Sequence, residues 1–256
     1  MILVIDIGNT NIVFGIYKEE ALLHLWRMST DKQKTSDEYL VTFFNLLKIN
    51  EIDPKAIRCT ILGSVVTPLN VVFQDLIFRL TEKPCKLVDL SCFPDMKVEM
   101  DNPLEVGADR LLNASAGFAK YGSAMVIIDF GTATTFDIIS EKGSYLGGVI
   151  APGLGLSLEA LTLKAFKLPS IKLEKPPTVI GKNTVHAMQS GVVHGYAGMV
   201  DSMVEKISQE LGLKPKVVAT GGLATLIKPA SSTIEDIVDD LTLLGLFMIA
   251  QKMDLQ

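Results

Sequence analysis

The chain has 256 residues, a formal net charge of −5 and a sequence pI near 5.3. This acidic balance argues against general nucleic-acid binding, so an anionic ligand would depend on local donors. Mean hydropathy is +0.34, but no uninterrupted apolar run approaches the ~20 residues that a membrane span requires. No basic segment precedes the first apolar run, and the three cysteines form no CxxC pair. Together these features predict a cytoplasmic protein without a signal peptide.

The first fourteen residues predict a hairpin with a polar tip. Residues 1–5 are continuously apolar, which is typical of a strand buried on both faces, and Asp6 stands where that strand ends. Gly8-Asn9-Thr10-Asn11 supplies turn residues before a second apolar run begins at Ile12. Such a tip can bind a phosphate through its amides and the Thr10 hydroxyl, with Asp6 reaching an accompanying Mg²⁺ through water. Taken alone, the pattern fits an ordinary hairpin turn equally well.

Strands and helices alternate through the following eighty residues. The apolar patterns predict strands at 21–28, 57–65 and 86–90, a helix that begins at Ser36, and a helix at 71–80. This order favours a mixed sheet covered by helices. Arg27 and the Ser/Thr cluster that follows it either line a cleft or form a solvated loop.

The segment from Met100 to Arg110 carries an acid beside an arginine. Asn102-Pro103 interrupts regular structure, and an apolar pattern starting at Leu111 predicts a helix, so Asp109-Arg110 falls in its first turns. One interpretation is a capping acid with a surface cation. The other is a base that accepts a hydroxyl proton beside a guanidinium that holds an anion. We favour the second, because the flanking residues are apolar.

The hairpin pattern recurs in the second half of the chain. Residues 124–128 are apolar, Asp129 follows, and Gly131-Thr132 opens a hydroxyl-rich turn before a further apolar run. Two similar units half a chain apart predict a duplicated domain with a ligand held between the copies.

The remaining elements are predicted from periodicity and glycine content. We expect strands at 136–139, 145–150 and 216–220, helices at 157–165, 185–211 and 241–252, and a proline-rich loop at 168–177. The helix at 185–211 is interrupted by Gly191, Gly195 and Gly198, and its small residues favour close packing against another helix. Gly221-Gly222 ends a strand where adenine or ribose could lie against bare backbone.

Together these motifs resemble the type III pantothenate kinases of the actin, Hsp70 and sugar-kinase superfamily. The matching segments keep the family's order over nearly the whole chain: Asp6-Ile7-Gly8-Asn9-Thr10-Asn11, Asn102-Pro103, Gly107-Ala108-Asp109-Arg110, Asp129-Phe130-Gly131-Thr132-Ala133-Thr134-Thr135, Gly147-Gly148, Ala151-Pro152-Gly153, Gly181-Lys182-Asn183-Thr184, Gln189-Ser190-Gly191 and Thr220-Gly221-Gly222. The resemblance implies an α/β fold of two ribonuclease H-like (actin-like ATPase) domains, 1–117 and 118–256, each a mixed sheet flanked by helices.

The resemblance also implies a reaction and its residues. The enzyme would phosphorylate pantothenate with ATP to give 4'-phosphopantothenate, the first step of coenzyme A synthesis. Asp109 would be the general base and Arg110 an orienting cation, with Gly107, Ala108 and, across a homodimer interface, Thr184 also binding pantothenate. Asp129 would bind a monovalent cation (K⁺ or NH₄⁺), and Asp6 would bind Mg²⁺ through water. The implied ATP-binding residues are Asp6, Ile7, Gly8, Asn9, Thr10, Asn11, Ile12, Val13, Thr132, Gly221 and Gly222.

The sequence departs from the family pattern at one position and leaves two other functions open. Met100 stands where the family usually has Tyr, so we expect a shifted KM for the substrate. One alternative is a kinase of the same superfamily that acts on another small hydroxyl compound. The other is a nucleotide-binding regulatory or accessory protein, although such a protein would need no catalytic base. No membrane or nucleic-acid partner is expected.

Overall fold

The computed structural model describes residues 1–254, which contain ten strands and seven α-helices. In chain order the elements are β1 (Ile2–Ile7), β2 (Asn11–Lys18), β3 (Ala21–Ser29), α1 (Ser36–Ile49), β4 (Cys59–Ser64), α2 (Thr67–Thr81), β5 (Cys85–Leu87), α3 (Ala108–Tyr121), β6 (Met125–Phe130), β7 (Ala133–Ile139), β8 (Tyr145–Pro152), α4 (Leu154–Lys164), α5 (Thr184–Leu211), β9 (Lys216–Thr220), α6 (Ala224–Ile227), β10 (Asp236–Ile237) and α7 (Leu241–Asp254). Within these residues, no helix is both long enough and apolar enough to cross a bilayer.

The two sheets repeat one topology. The first has the order β3-β2-β1-β4-β5 and the second has the order β8-β7-β6-β9-β10. In each sheet, three antiparallel strands from consecutive hairpins are followed by two strands that pair in parallel. The predicted fold class, duplicated mixed sheets with helices, is therefore confirmed.

The chain forms two compact units that are not simple halves of the sequence. The first unit contains residues 1–95 and 102–116 and the described residues from Thr242 onward. The second unit contains residues 96–101 and 117–241. The expected division into domains 1–117 and 118–256 stays a prediction.

The core of the first unit explains why its elements form. Strand β1 is almost entirely buried, as its unbroken apolar sequence predicts. The Phe14 ring stacks on Phe43 of α1 with centroids 4.7 Å apart, which joins the sheet to that helix. Helix α1 begins after Thr35, whose side chain forms a capping box with Glu38, so the predicted start at residue 36 is confirmed.

Helix α5 was predicted to be interrupted by glycines, and this prediction is wrong. The helix runs without a break over 28 residues. Each interior glycine costs about 1 kcal/mol relative to alanine, but the opposite face of α5 is buried along its length. Its buried residues include Val192, Val193, Ala197, Val200 and Val204. Tertiary burial of this face therefore outweighs the low helix propensity of the glycines.

A buried hydroxyl in β7 gives a stability prediction. Thr134 is fully buried, and its Oγ1 has no hydrogen-bond partner within residues 1–254. We expect Thr134→Val to raise the free energy of unfolding by about 1 kcal/mol, because valine keeps the shape and removes an unsatisfied polar group. The measurement is urea unfolding followed by circular dichroism.

The matched control for this prediction is Thr81→Val in α2. Thr81 is also buried, but its Oγ1 donates to the Ile77 carbonyl oxygen at 2.8 Å. Valine at position 81 is expected to destabilise the protein, because it removes a satisfied hydrogen bond. If both substitutions lowered the free energy of unfolding equally, the Thr134 hydroxyl would not be destabilising in the wild-type protein.

Candidate active site

The first hairpin turn is tight and exposed. Asp6 pairs with Val13 on β2 and with Gly63 on β4, so it lies one residue from the end of β1. The Gly8 amide donates to the Asn11 carbonyl oxygen at 2.9 Å, and a Cβ on Gly8 would lie 3.1 Å from that oxygen. The tip of the hairpin, residues 9–11, is exposed. The predicted strand, acid and turn are therefore present in this order.

Two hydrogen bonds from Thr30 stabilise this turn. Its Oγ1 donates to the Gly8 carbonyl oxygen at 2.6 Å, and its amide donates to the Thr10 carbonyl oxygen at 2.9 Å. From sequence, the Ser/Thr cluster after Arg27 fits either a cleft lining or a solvated loop. Thr30 contacts the turn directly, and its position two residues after the predicted strand at 21–28 was the only available signal.

Asp109 lies in the first turn of α3, as predicted. Its Oδ1 accepts a hydrogen bond from the Arg110 amide at 2.9 Å. Burial raises the pKa of the Asp109 carboxyl, and the hydrogen bond and positive charge of Arg110 oppose that rise only in part. A Cβ on Gly107 would lie 2.5 Å from Asp109 Oδ1, so a larger residue there would displace this carboxylate from its present position.

The Asp109 segment and the first hairpin lie at the same end of the first sheet. The Val65 amide donates to the Ile7 carbonyl oxygen at 3.1 Å, which joins the end of β1 to the chain leaving β4. The position of a Cβ on Gly107 is 3.9 Å from Val65 Cγ1. The first unit therefore groups Asp6, the hairpin tip and Asp109 at the carboxyl ends of two parallel strands, where ligands of open α/β sheets bind.

The second hairpin repeats the first in the other unit. Asp129 of β6 pairs with Thr135 on β7 and with Thr220 on β9. The Gly131 amide donates to the Ala133 carbonyl oxygen at 3.0 Å and closes the turn around Thr132. Asp129 thus has the same place in its sheet as Asp6 has in the first.

Two glycines pack against this second hairpin. Gly221 has φ of +86°, and a Cβ there would lie 2.6 Å from Asp129 Oδ1 and 2.8 Å from the Phe130 backbone. A Cβ on Gly153 would lie 2.5 Å from the Gly131 carbonyl oxygen. Both positions need bare backbone in order to approach the hairpin. The family resemblance implies a ligand role for Gly221 but none for Gly153.

Thr184 opens helix α5 at the rim of a groove. Asn183 caps the helix, its Oδ1 accepting from the His186 amide at 2.8 Å, and Thr184 is exposed. The groove has a volume of about 750 Å³ and is lined by residues of α4, of α5 and of the loop between them. Its lining includes Ser157, Leu161, Lys182, Thr184, Met188 and Tyr196.

Met100 packs on the second sheet, close to a glycine with positive φ. The chain at 97–99 lies beside β8, since the Glu99 amide donates to the Tyr145 carbonyl oxygen at 2.8 Å. Met100 Sδ lies 3.5 Å from the position of a Cβ on Gly147, where φ is +134°. The thioether therefore fills space that this glycine leaves open.

Comparisons with known proteins point to one family. The family model described as type III pantothenate kinase matches residues 2–206. A type III pantothenate kinase of Citrifermentans bemidjiense is 50% identical over 252 residues, which cover 98% of this chain and 99% of the relative. The protein of that description from Geotalea daltonii is 48% identical over 252 residues, covering 98% of each chain.

Solved structures agree with the fold. The activator of the 2-hydroxyisocaproyl-CoA dehydratase from Clostridium difficile has a TM-score of 0.58 and 15% sequence identity to this chain. The alignment covers 98% of this chain and 94% of the activator. At this low identity the likeness concerns the fold alone.

Proposed function

The chain belongs to the type III pantothenate kinase family, and from this premise we propose which of its residues bind and activate the two substrates. It is a pantothenate kinase, which transfers a phosphoryl group from ATP to pantothenate in coenzyme A synthesis. Phosphoryl transfer asks a protein mainly to position the substrates and to neutralise charge.

We assign the general base to Asp109. The observation that carries this assignment is a half-buried carboxyl with a raised pKa at the carboxyl end of the first sheet, one residue from an arginine. A base with a raised pKa holds more tightly the proton that it takes from the attacking hydroxyl of pantothenate. Arg110 would pair with the carboxylate of pantothenate. Gly107 and Ala108 would leave room for the substrate.

We assign ATP to the two hairpins and to the glycine pair after β9. The exposed tip at residues 9–11 supports a phosphate contact for the first hairpin, which spans Asp6 to Val13. Thr132 would make the equivalent contact from the second hairpin, and Gly221 and Gly222 would face the adenosine. Bound Mg²⁺ would neutralise phosphate charge, and Asp6 would hold it through water.

We assign a monovalent cation, K⁺ or NH₄⁺, to Asp129. The support is the bare backbone of Gly221 against Asp129 Oδ1, in a space that a Cβ would fill. The cation would offset the charge of this carboxylate close to the polyphosphate.

The experiment for this proposal measures ADP release by the purified chain with ATP, Mg²⁺ and pantothenate, in K⁺, NH₄⁺ or choline buffer. We expect ADP release that requires pantothenate and that is much faster in K⁺ or NH₄⁺ than in choline. Equal rates in all three buffers would contradict the cation assignment alone. Turnover with no added protein would also argue against the regulatory alternative.

We further propose that the protein acts as a homodimer in which Thr184 of one copy reaches the pantothenate of the other. The exposed face of α5 carries Gly191, Gly195 and Gly198, where a Cβ would meet nothing within 4 Å in the described part of the chain. In the segment between α4 and α5, Phe166 is 102% exposed and Ile180 is 79% exposed. Such apolar exposure supports burial against a second copy.

The dimer is tested by Gly195→Arg. Arginine is a better helix former than glycine, so the isolated helix should not suffer. Its bulk and charge are expected to convert the dimer to monomer in light scattering after size exclusion. An unchanged mass with a higher melting temperature would mean that this face is free in solution.

The three cysteines are free thiols in the structure, with Cys85 buried and the others half-buried. This state supports a reducing compartment, and we therefore keep the cytoplasm as the proposed location.

A further inference from the structure

The side chain of Tyr196 joins helix α5 to the glycine turn that precedes α4. Its hydroxyl donates to the carbonyl oxygen of Pro152 at 3.0 Å and lies 3.2 Å from that of Gly153. The hydroxyl also makes a short hydrogen bond with Ser157 Oγ of α4. Tyr196 thus links the groove on α5 to the end of strand β8.

A phenol hydroxyl carries one proton, so the directions of these hydrogen bonds follow from its partners. Both carbonyl oxygens can only accept, and Tyr196 therefore donates to them in a shared bond. Ser157 must then donate to the Tyr196 oxygen. The Ser157 amide also donates to the Gly153 carbonyl oxygen at 2.9 Å, which starts helix α4 on that turn. One connected hydrogen-bond network therefore joins Tyr196, Ser157 and the backbone of Pro152 and Gly153.

Gly153 in turn touches the second hairpin. Its amide donates to the Thr132 carbonyl oxygen at 3.1 Å, and its neighbour Pro152 pairs with Ala133 on β7. A Cβ on Gly153 would overlap the Thr132 carbonyl group, so no side chain separates the two backbones. A shift of Gly153 would therefore move the Thr132 turn with it.

We propose that Tyr196 is a positioning residue that holds the Thr132 turn, through Gly153, in the conformation that binds the ATP phosphates. This inference rests on the proposed role of Thr132 and goes beyond it, because Tyr196 itself contacts no substrate in the assignment above. The same tyrosine lines the groove that Thr184 borders. Tyr196 therefore contacts both the α5 groove and the turn that lies against the nucleotide hairpin.

The test is steady-state kinetics of Tyr196→Phe, which removes the hydroxyl and keeps the ring. Loss of one such hydrogen bond is expected to raise the KM for ATP about three- to ten-fold. The KM for pantothenate should stay within about two-fold, since the lost restraint acts on the nucleotide hairpin. Equal rises in both constants, or no rise for ATP, would overturn the proposal.

Two further variants keep the result interpretable. Tyr121→Phe is the matched control, because it removes a hydroxyl that binds Asp236 at 2.5 Å elsewhere in the same unit. It should lower the melting temperature as much as Tyr196→Phe without raising the KM for ATP. If Tyr196→Phe does not fold, Ser157→Ala probes the same network with a smaller change and should raise the KM for ATP selectively.

Thr132→Val tests the proposed ATP role of Thr132 separately from the positioning role of Tyr196. If this variant leaves the KM for ATP unchanged, the proposed ATP role of Thr132 fails, and the inference fails with it. If Thr132→Val raises that KM and Tyr196→Phe does not, only the positioning role is overturned. A double variant whose KM for ATP is below the product of the two single effects supports action through one hairpin.

Discussion

Replacing Asp109 by asparagine is expected to lower kcat by about 10²–10⁴-fold while ATP still binds, because the substrate hydroxyl loses its base. Asparagine keeps the size of the side chain and can still accept the hydrogen bond that the Arg110 amide gives to Asp109 Oδ1. The local helix start should therefore survive. Kinetics of ADP release and calorimetric titration with ATP measure the two effects separately.

The pH dependence and stability of this variant identify the carboxyl. Burial raises the pKa of Asp109, so the folded protein binds this proton more tightly than the unfolded chain. The free energy of unfolding therefore falls as the pH rises through and beyond the ordinary Asp pKa of 3.8 and Asp109 ionises. At neutral pH, Asp109→Asn should melt at or above the wild-type temperature. In the wild-type protein, the pH at which kcat falls on acidification should lie above the pKa of an ordinary aspartate.

Asp37→Asn is the control for Asp109→Asn. Asp37 is also in the first turn of a helix, α1, but its side chain is 74% exposed and pairs with Arg79 at 2.8 Å. This substitution should leave kcat unchanged, because it lies outside the proposed site. Full activity in Asp109→Asn would refute the assignment of the base.

Replacing Gly221 by alanine is expected to weaken ATP binding by at least about tenfold, because backbone strain and steric overlap coincide there. The φ of +86° is a conformation that costs about 1–3 kcal/mol for a residue with a side chain. The added methyl group would also lie 2.6 Å from Asp129 Oδ1 and 2.8 Å from the Phe130 backbone, which cannot move without disturbing β6. Calorimetry with ATP and thermal unfolding measure binding and stability.

The adjacent glycine provides the control. A Cβ on Gly222 would meet nothing within 4 Å among the described residues, so Gly222→Ala should leave the melting temperature near that of the wild type. If Gly221→Ala bound ATP as the wild type does, the Gly221 backbone would not be part of the nucleotide site. If both variants lost ATP binding equally at unchanged stability, direct contact with the ligand would explain the effect better than strain.

The local elements were predictable because their signals lie within a few residues. Strand β1 is continuously apolar, and its turn residues follow at once, so the first hairpin needed no tertiary information. The start of α1 at Ser36 was also predicted, and the structure shows a capping box between Thr35 and Glu38 there. The two-residue strand β10 was missed, because so short a segment carries no periodicity. Only its pairing with β9 identifies it.

The acidic hairpins were predictable because each motif joins an acid to glycines, whereas contacts between residues distant in sequence were missed. Thr30 lies twenty-two residues from the Gly8 carbonyl oxygen that it binds. Tyr196 lies forty-four residues from the Pro152 carbonyl oxygen. A tyrosine on a helix or a threonine after a strand has no local feature that predicts such a partner.

The amino-acid sequence by itself determined the two hairpins, the helix that carries Asp109 and the resemblance to a kinase family, because each depends on short-range pattern. Only the tertiary structure decided where the last helix belongs. Helix α7 packs in the first unit, where the Phe247 ring stacks on Tyr17 with centroids 4.1 Å apart and Gly245 lies against the backbone of Leu112. The physical reason is that an apolar helix can bury its surface against any complementary face. The choice depends on shape and on close backbone approach between residues far apart in the chain.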